Sequence, residues 1–132
     1  MVSVIPAPTL FKSEDSPPLR WGVVGAGGIA ETMTRTVQRS SRQEFVAVAS
    51  RTPDKAKDFA GKLGLSAFYS SYEELIDRDD IDVVYTANFP SSHREVALFA
   101  ISAGKPMLIE KPIALDSISA AEIYIAANKK MF

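Results

Sequence analysis

A glycine-rich stretch follows the first apolar run of the chain, in the segment "LRWGVVGAGGIAET" (19–32). It has the pattern G-x-G-x-x-A through Gly25, Gly27 and Ala30. In such a turn the first glycine allows a sharp bend, the second lacks a Cβ that would keep a pyrophosphate away, and the small third residue lets the helix pack on the strand. The N–H groups at the helix start then favour an anion. The pattern predicts a dinucleotide site at Gly25, Ala26, Gly27, Gly28, Ile29 and Ala30, and a tight turn without a ligand is the alternative.

The end of the second apolar run, "EFVAVAS", indicates which dinucleotide would bind. NAD sites usually place Asp or Glu there, where the carboxylate binds the ribose 2′-hydroxyl. This chain has Ser50, Arg51 and Thr52 instead. A guanidinium and two hydroxyls suit a 2′-phosphate, whereas a carboxylate repels it. The sequence therefore favours NADP over NAD, although NAD remains possible. A solvated loop charge is the alternative for Arg51.

Composition narrows the class of protein. The chain has 132 residues, 46% of them hydrophobic and 23% charged, which is typical of one globular domain. A net charge of −1 gives no indication of a nucleic-acid or membrane-surface partner. The absence of Cys excludes disulfides, Cys-based zinc sites and thiol catalysis. The start of the chain has no basic segment and carries Pro6 and Pro8, so we expect no signal peptide and a cytoplasmic protein.

Short β-rich runs alternate with helical patterns after a proline-rich arm at residues 1–18. We predict strands at 20–25, 44–50, 67–70, 81–87 and 106–110, with helices at 28–40, 53–63, 71–76, 92–103 and from 116 or 117 to 129. Alternation at this spacing predicts an α/β fold, a Rossmann-type doubly wound parallel sheet. The arm is expected to be extended because proline resists helix formation.

Several residues are typical of helix ends. Thr52 precedes Pro53 at a predicted helix start. Two Ser residues are each followed three positions later by Glu, as in a capping box: "SYEE" from Ser71 and "SHRE" from Ser92. Gly104 stands where a helix C-terminus is expected.

Two further segments, with the glycine turn, resemble a known family. They are "TANFPSSH" (86–93) and "AGKPMLIEKPIAL" (103–115). Together they resemble the N-terminal, NAD(P)-binding domain of the Gfo/Idh/MocA oxidoreductases, from Leu19 to the end of the chain. "LRWG" and "SYEEL" are most similar to the branch of dihydrodiol and xylose dehydrogenases.

The resemblance implies a catalytic role for Lys111. Glu110, Lys111 and Pro112 match the E-K-P motif of the family, whose Lys lies beside the nicotinamide and the substrate. There it would orient the substrate hydroxyl and assist proton transfer while a hydride moves to or from the ring. The proline of relatives commonly forms a cis peptide, which would aim Lys111 inward. An exposed loop lysine is the alternative.

The resemblance also implies that the loop after the fourth strand lies along the nicotinamide side of the cofactor. Asn88, Pro90 and His93 match that loop, and the backbone of Thr86 and Ala87 would pass close to the cofactor. His93 is the single histidine of the sequence. Since the usual catalytic histidine of the family lies in its second domain, a helix-start residue without a catalytic task is the alternative for His93.

The family continues beyond this chain into a second domain that supplies much of the substrate pocket. We therefore expect a truncated product that binds cofactor with little turnover, in which "MF" (131–132) would begin a sixth strand. The resemblance implies sugar, polyol or dihydrodiol substrates and a possible homo-oligomer, while the charge of the chain leads us to expect no nucleic-acid or membrane partner. The arm would wrap a neighbouring subunit or form a flexible tail. A non-enzymatic NADP(H)-binding module and a methyltransferase are the alternatives, although the latter has no use for E-K-P.

Overall fold

A five-stranded parallel sheet forms the centre of the computed structural model, which describes residues 6–10 and 12–130. The strands are β1 (Arg20–Val24), β2 (Glu44–Ala49), β3 (Ala67–Tyr69), β4 (Val83–Thr86) and β5 (Met107–Ile109). Their order in the sheet is β3-β2-β1-β4-β5, and every neighbouring pair is parallel. β2 and β3 follow on one side of β1, and β4 and β5 follow on its other side. This order confirms the predicted doubly wound α/β fold. This order places a ligand crevice at the carboxyl ends of β1 and β4.

Helices cover both faces of this sheet. They are α1 (Gly28–Ser40), α2 (Pro53–Leu63), α3 (Tyr72–Ile76), α4 (His93–Ser102) and α5 (Ser117–Lys129). Val23 and Tyr85 pack with residues of α1 and α2, whereas Val24 and Val84 pack with residues of α3 and α4. Successive strand side chains point to opposite faces, and here both faces are buried. This explains why the strands appear in the sequence as continuous apolar runs.

Element bounds differ from the predictions mainly at strand ends. The helix at 28–40 is confirmed at both ends, while β4 begins at Val83, two residues later than expected. Asp82 lies just before β4, and its side chain binds Arg20. The carboxylate accepts hydrogen bonds from the Arg20 backbone N–H at 2.8 Å and from the Arg20 side chain at 2.7 and 2.9 Å. The predicted sixth strand falls on residues 131–132, outside the described part of the chain.

The cap predicted at Ser71 is confirmed, and Asp116 caps the last helix at its predicted start. The Ser71 hydroxyl accepts from the Glu74 N–H at 3.4 Å, and the Asp116 carboxylate accepts from the Ser119 N–H at 2.7 Å. Gly104 has a φ of +74° just after α4, as expected for a residue that ends a helix.

Thr52 and Ser92 stand directly before their helices, as predicted, but neither hydroxyl accepts a capping hydrogen bond. A capping hydroxyl on Thr52 would accept a hydrogen bond from the Lys55 N–H. That N–H donates instead to the Thr52 backbone carbonyl at 3.1 Å. Ser92 closes a 3-10 turn (Pro90–Ser92) with near-helical dihedrals (φ −105°, ψ −3°), whereas N-cap residues have extended backbone. Its hydroxyl accepts from Arg51 instead.

The described part of the proline-rich arm has one 3-10 turn, Ser13–Asp15. Gln43 Nε2 donates to the Pro17 carbonyl at 2.8 Å, and the Arg42 guanidinium donates to the Glu14 and Ser16 carbonyls. Residues 1–5 and 11 of the arm lie outside the described residues, and its division from the domain at residue 19 stays a prediction. Among the described helices, none has the length and apolar character needed to cross a bilayer.

Candidate functional site

Gly25 brings two loops of the site into direct contact. Its φ is +100°, and a Cβ at this position would lie 2.8 Å from the Ala87 carbonyl carbon, the Ala87 oxygen and the Asn88 nitrogen. The Gly25 N–H donates to the Ala49 carbonyl, and the Ala87 N–H donates to the Val24 carbonyl, both at 2.8 Å. Glycine is therefore required here for the close approach of the loop after β4 as well as for the bend.

Open space surrounds the next two glycines. A Cβ on Gly27 or on Gly28 would meet no atom within 4 Å. No side chain caps α1, so its first N–H groups are left for an anion. Ala30 is fully buried against the sheet, as predicted for the small residue of the motif, while Ile29 is 56% exposed. The turn thus has the shape that a pyrophosphate needs.

A cleft of about 230 Å³ opens between the glycine turn, the end of β2 and the loop after β4. It is lined by Gly25, Ala26, Gly27, Ser50, Arg51, Thr52, Lys55, Tyr72, Ala87, Asn88 and Phe89. Two of these side chains are cationic and none is a carboxylate. The structure therefore brings the predicted glycines together with Ser50, Arg51 and Thr52.

Sequence reasoning missed Lys55, Tyr72 and Phe89, which line the same cleft. Lys55 lies in the first turn of α2, shortly after Arg51, so its position at this edge of the sheet could have been inferred from the helix start. Tyr72 begins α3 on the other face of the sheet, and no local pattern places it beside Arg51.

The Arg51 side chain is held by neutral groups. Its guanidinium donates a hydrogen bond of 2.8 Å to the Ser92 hydroxyl, and its Cζ lies 5.4 Å from the centre of the Tyr72 ring. Within residues 6–10 and 12–130, no carboxylate forms a salt bridge with Arg51. The cleft thus contains a fixed positive charge that the described residues do not neutralise.

The end of β4 and the loop after it contain buried polar groups without partners. Both amide atoms of Asn88 and the Thr86 hydroxyl are buried and make no hydrogen bond with the described residues. Buried polar groups are normally paired, so an unpaired amide in a cleft is a candidate ligand contact. Pro90 begins the 3-10 turn and does not line the cleft.

His93 ties this loop to the E-K-P segment. The side chain is fully buried, with Nδ1 2.8 Å from the Pro112 carbonyl oxygen and Nε2 3.0 Å from the Asn88 carbonyl oxygen. Each ring nitrogen therefore faces a backbone carbonyl oxygen, and a neutral ring donates its single N–H to one of the two. His93 has the geometry of a structural tie, in agreement with the alternative that gave it no catalytic task.

The E-K-P segment follows β5 at the same edge of the sheet. The Lys111–Pro112 peptide is cis, as the resemblance implied. Glu110 accepts a hydrogen bond of 2.8 Å from the Tyr85 hydroxyl. Burial, together with this contact to Glu110, raises the pKa of the Tyr85 phenol above its ordinary value, so Tyr85 remains a proton donor to Glu110.

Lys111 is exposed, and its side chain has no hydrogen bond or salt bridge with the described residues. The desolvated surroundings expected for a catalytic lysine are therefore not supplied by this part of the chain. The ammonium group is free to contact a ligand, so its catalytic role stays a proposal.

A larger groove of about 410 Å³ lies away from these residues, between α5 and the edge strand β5. Its lining is mostly apolar and includes none of the predicted site residues. Leu108 of the edge strand β5 is 45% exposed beside it.

Comparison with known proteins agrees with this geometry. A family model described as "Oxidoreductase family, NAD-binding Rossmann fold" matches residues 19–131. The trans-1,2-dihydrobenzene-1,2-diol dehydrogenase of Bos taurus is 38% identical over 115 residues, which cover 85% of this chain and 34% of that protein. This similarity agrees with the branch indicated by the sequence. The chain thus spans about a third of the length of such relatives.

Two solved structures share the fold. An NAD-binding oxidoreductase from Klebsiella pneumoniae superposes with a TM-score of 0.81 at 28% identity, covering 86% of this chain and 32% of the other. A 3-ketoreductase from Actinomadura kijaniata, solved with TDP-benzene and NADP, superposes with a TM-score of 0.80 at 33% identity, covering 86% and 36%. The match over residues 19–131, the strand order and the glycine turn lead to one conclusion: this chain belongs to the Gfo/Idh/MocA family of oxidoreductases, in its NAD-binding Rossmann domain.

Proposed function

We propose that this chain binds NADP(H) across the carboxyl ends of β1 and β4. It would serve as the cofactor domain of an oxidoreductase that transfers hydride to or from a sugar, polyol or dihydrodiol. The observation that carries the proposal is the cleft beside the glycine turn, which is lined by Arg51 and Lys55 and by no carboxylate.

The charge of the cleft supports NADP over NAD. A 2′-phosphate carries negative charge and acceptor oxygens, which Arg binds through several N–H groups and Lys as a point charge. Ser50 and Thr52 add hydroxyl groups at the same edge. An NAD site would place a carboxylate at the end of β2, and this chain has Ser50 there.

The remaining parts of the site suit the rest of the dinucleotide. The open space at Gly27 and Gly28, before the uncapped start of α1, accommodates a pyrophosphate. The amide of Asn88 has no partner among the described residues, so its NH₂ group and its carbonyl oxygen are available to the part of the cofactor that follows the pyrophosphate. Gly25, Ala26 and Ala87 line this surface, whereas Thr86 and His93 are fully buried and Ile29 and Pro90 are not part of the lining.

Lys111 is the proposed catalytic residue. The bound nicotinamide supplies the hydride acceptor or donor. Lys111 Nζ would orient the substrate oxygen and hold or deliver a proton there, while Glu110 and Pro112 fix the segment through Tyr85 and His93. The dihydrodiol class is supported by the relative from Bos taurus, which covers 85% of this chain.

Titration of the chain with NADPH and with NADH tests the proposal. We expect NADPH to bind about 10- to 100-fold more tightly, as charge-assisted hydrogen bonds to one phosphate imply. Arg51→Asp should abolish this preference. Arg39→Asp, which makes the same change of charge at the end of α1, should retain it. Equal affinities in the wild type, or no binding of either nucleotide, would contradict the proposal.

A further inference from the structure

Arg51 is held from two distant parts of the chain. Ser92, 41 residues further along, accepts its guanidinium hydrogen bond at 2.8 Å. Tyr72, the first residue of α3, places its ring 5.4 Å from the guanidinium carbon. These two contacts bring the end of β2, the start of α3 and the turn before α4 to one point of the cleft.

The chemistry of the two partners is informative because both are neutral. A structural arginine is usually paired with a carboxylate, as Arg20 is with Asp82 and Arg78 with Asp80. Arg51 has no such pair in the described chain, so its full charge remains available to an anion. A hydroxyl and an aromatic face can restrain a guanidinium without neutralising it.

The restraint also has a thermodynamic consequence. A free arginine side chain loses rotamer entropy when it binds a ligand, whereas an arginine already held in place loses much less. Ser92 is 5% exposed, and its hydroxyl does not cap α4. The hydrogen bond that the structure shows for this hydroxyl is the one from Arg51.

We propose that Tyr72 and Ser92 are positioning residues that hold the Arg51 guanidinium ready for the 2′-phosphate, and that they thereby set the preference of this site for NADP over NAD. This inference rests on the proposed function, because it requires that the cleft binds the dinucleotide. Neither residue needs to touch the cofactor for the effect.

The test measures dissociation constants of NADPH, NADH and 2′,5′-ADP for a small set of variants. Tyr72→Leu and Ser92→Ala should each weaken binding of NADPH and 2′,5′-ADP about three- to tenfold, and so lower the ratio of NADPH to NADH affinity. Tyr72→Phe keeps the aromatic face and should stay within about twofold of the wild type. Tyr124→Leu makes the same change at a residue 70% exposed on α5, outside the cleft, and should not alter the ratio.

A double-mutant cycle separates positioning from a general loss of structure. In an Arg51→Ala background, Tyr72→Leu should cause no further loss of NADPH affinity, because the group that it positions is gone. An unchanged NADPH to NADH ratio in both Tyr72→Leu and Ser92→Ala, with a clear effect of Arg51→Ala, would overturn the inference and leave the proposed function standing. If the wild type binds neither 2′,5′-ADP nor NADPH, the proposed function fails and the inference with it.

Discussion

Replacing Gly25 by alanine tests how tightly the glycine turn packs against the loop after β4. The new Cβ would lie 2.8 Å from three backbone atoms of Ala87 and Asn88, closer than real Cβ contacts come. The backbone would also have to keep a φ of +100°, which costs an L-residue roughly 1–2 kcal/mol. Forcing a backbone apart costs roughly 1–3 kcal/mol more. We therefore expect Gly25→Ala to lower the free energy of unfolding by about 2–5 kcal/mol.

Two other glycines give matched controls. Gly64 has a φ of +72° with no atom within 4 Å of the added Cβ, so Gly64→Ala measures the backbone cost alone. Gly27 has a φ of −91° and is equally open, so Gly27→Ala should change the free energy of unfolding by less than about 1 kcal/mol. The same Gly27→Ala variant should bind NADPH more weakly, because its Cβ occupies the space proposed for the pyrophosphate.

Urea unfolding followed by circular dichroism measures all three variants. The expected order of destabilisation is Gly25→Ala, then Gly64→Ala, then Gly27→Ala. If Gly25→Ala is no more destabilising than Gly64→Ala, the close contact with the loop after β4 does not exist. The reasoning about Gly25 is then refuted.

Three other predictions concern the rest of the domain. His93→Leu removes the ring N–H that the Pro112 or the Asn88 carbonyl accepts, and it should lower the free energy of unfolding by about 1–3 kcal/mol. His93→Gln keeps a donor and should lose less stability in the same urea titration. Hydrogen bonds from Arg20 lower the pKa of Asp82 to about 2, so its contribution to stability is complete above pH ~4 and is lost as the pH falls through about 2. The difference in stability between the wild type and Asp82→Asn should shrink over that range in urea titrations at a series of pH values, and a constant difference would contradict the reasoning. In a protein extended to the length of its relatives, Lys111→Ala should lower turnover by about 100-fold or more and leave NADPH affinity nearly unchanged. If this variant keeps the turnover of the wild type, Lys111 has a structural role and not a catalytic one.

Most of the fold follows from local patterns in the sequence. The bounds of α1 and α2 are set by periodicity and by signals such as Pro53 and Gly64, which act within a few residues. The alternation of strands and helices then leaves the doubly wound sheet as the arrangement that buries both faces of each strand. The glycine turn is predictable for the same reason, because its spacing is local.

The errors arise where a side chain binds a distant partner. "SHRE" has the spacing of a capping box, yet the Ser92 hydroxyl is used by Arg51, which lies 41 residues earlier. Nothing in the sequence around Tyr72 distinguishes it from other aromatic residues at helix starts. Its contact with the Arg51 guanidinium is formed by the fold. His93 likewise has no local signature for its ties to Asn88 and Pro112. Such contacts depend on tertiary structure and cannot be read from spacing.

A crystal structure of the chain grown with NADPH tests the central claim most directly. We expect the pyrophosphate within hydrogen-bond distance of the backbone N–H groups between Gly25 and Ala30. The 2′-phosphate should lie against Arg51, with Lys55 beside it. Density for the nucleotide elsewhere on the protein, or a 2′-phosphate without contact to either cation, would contradict the account.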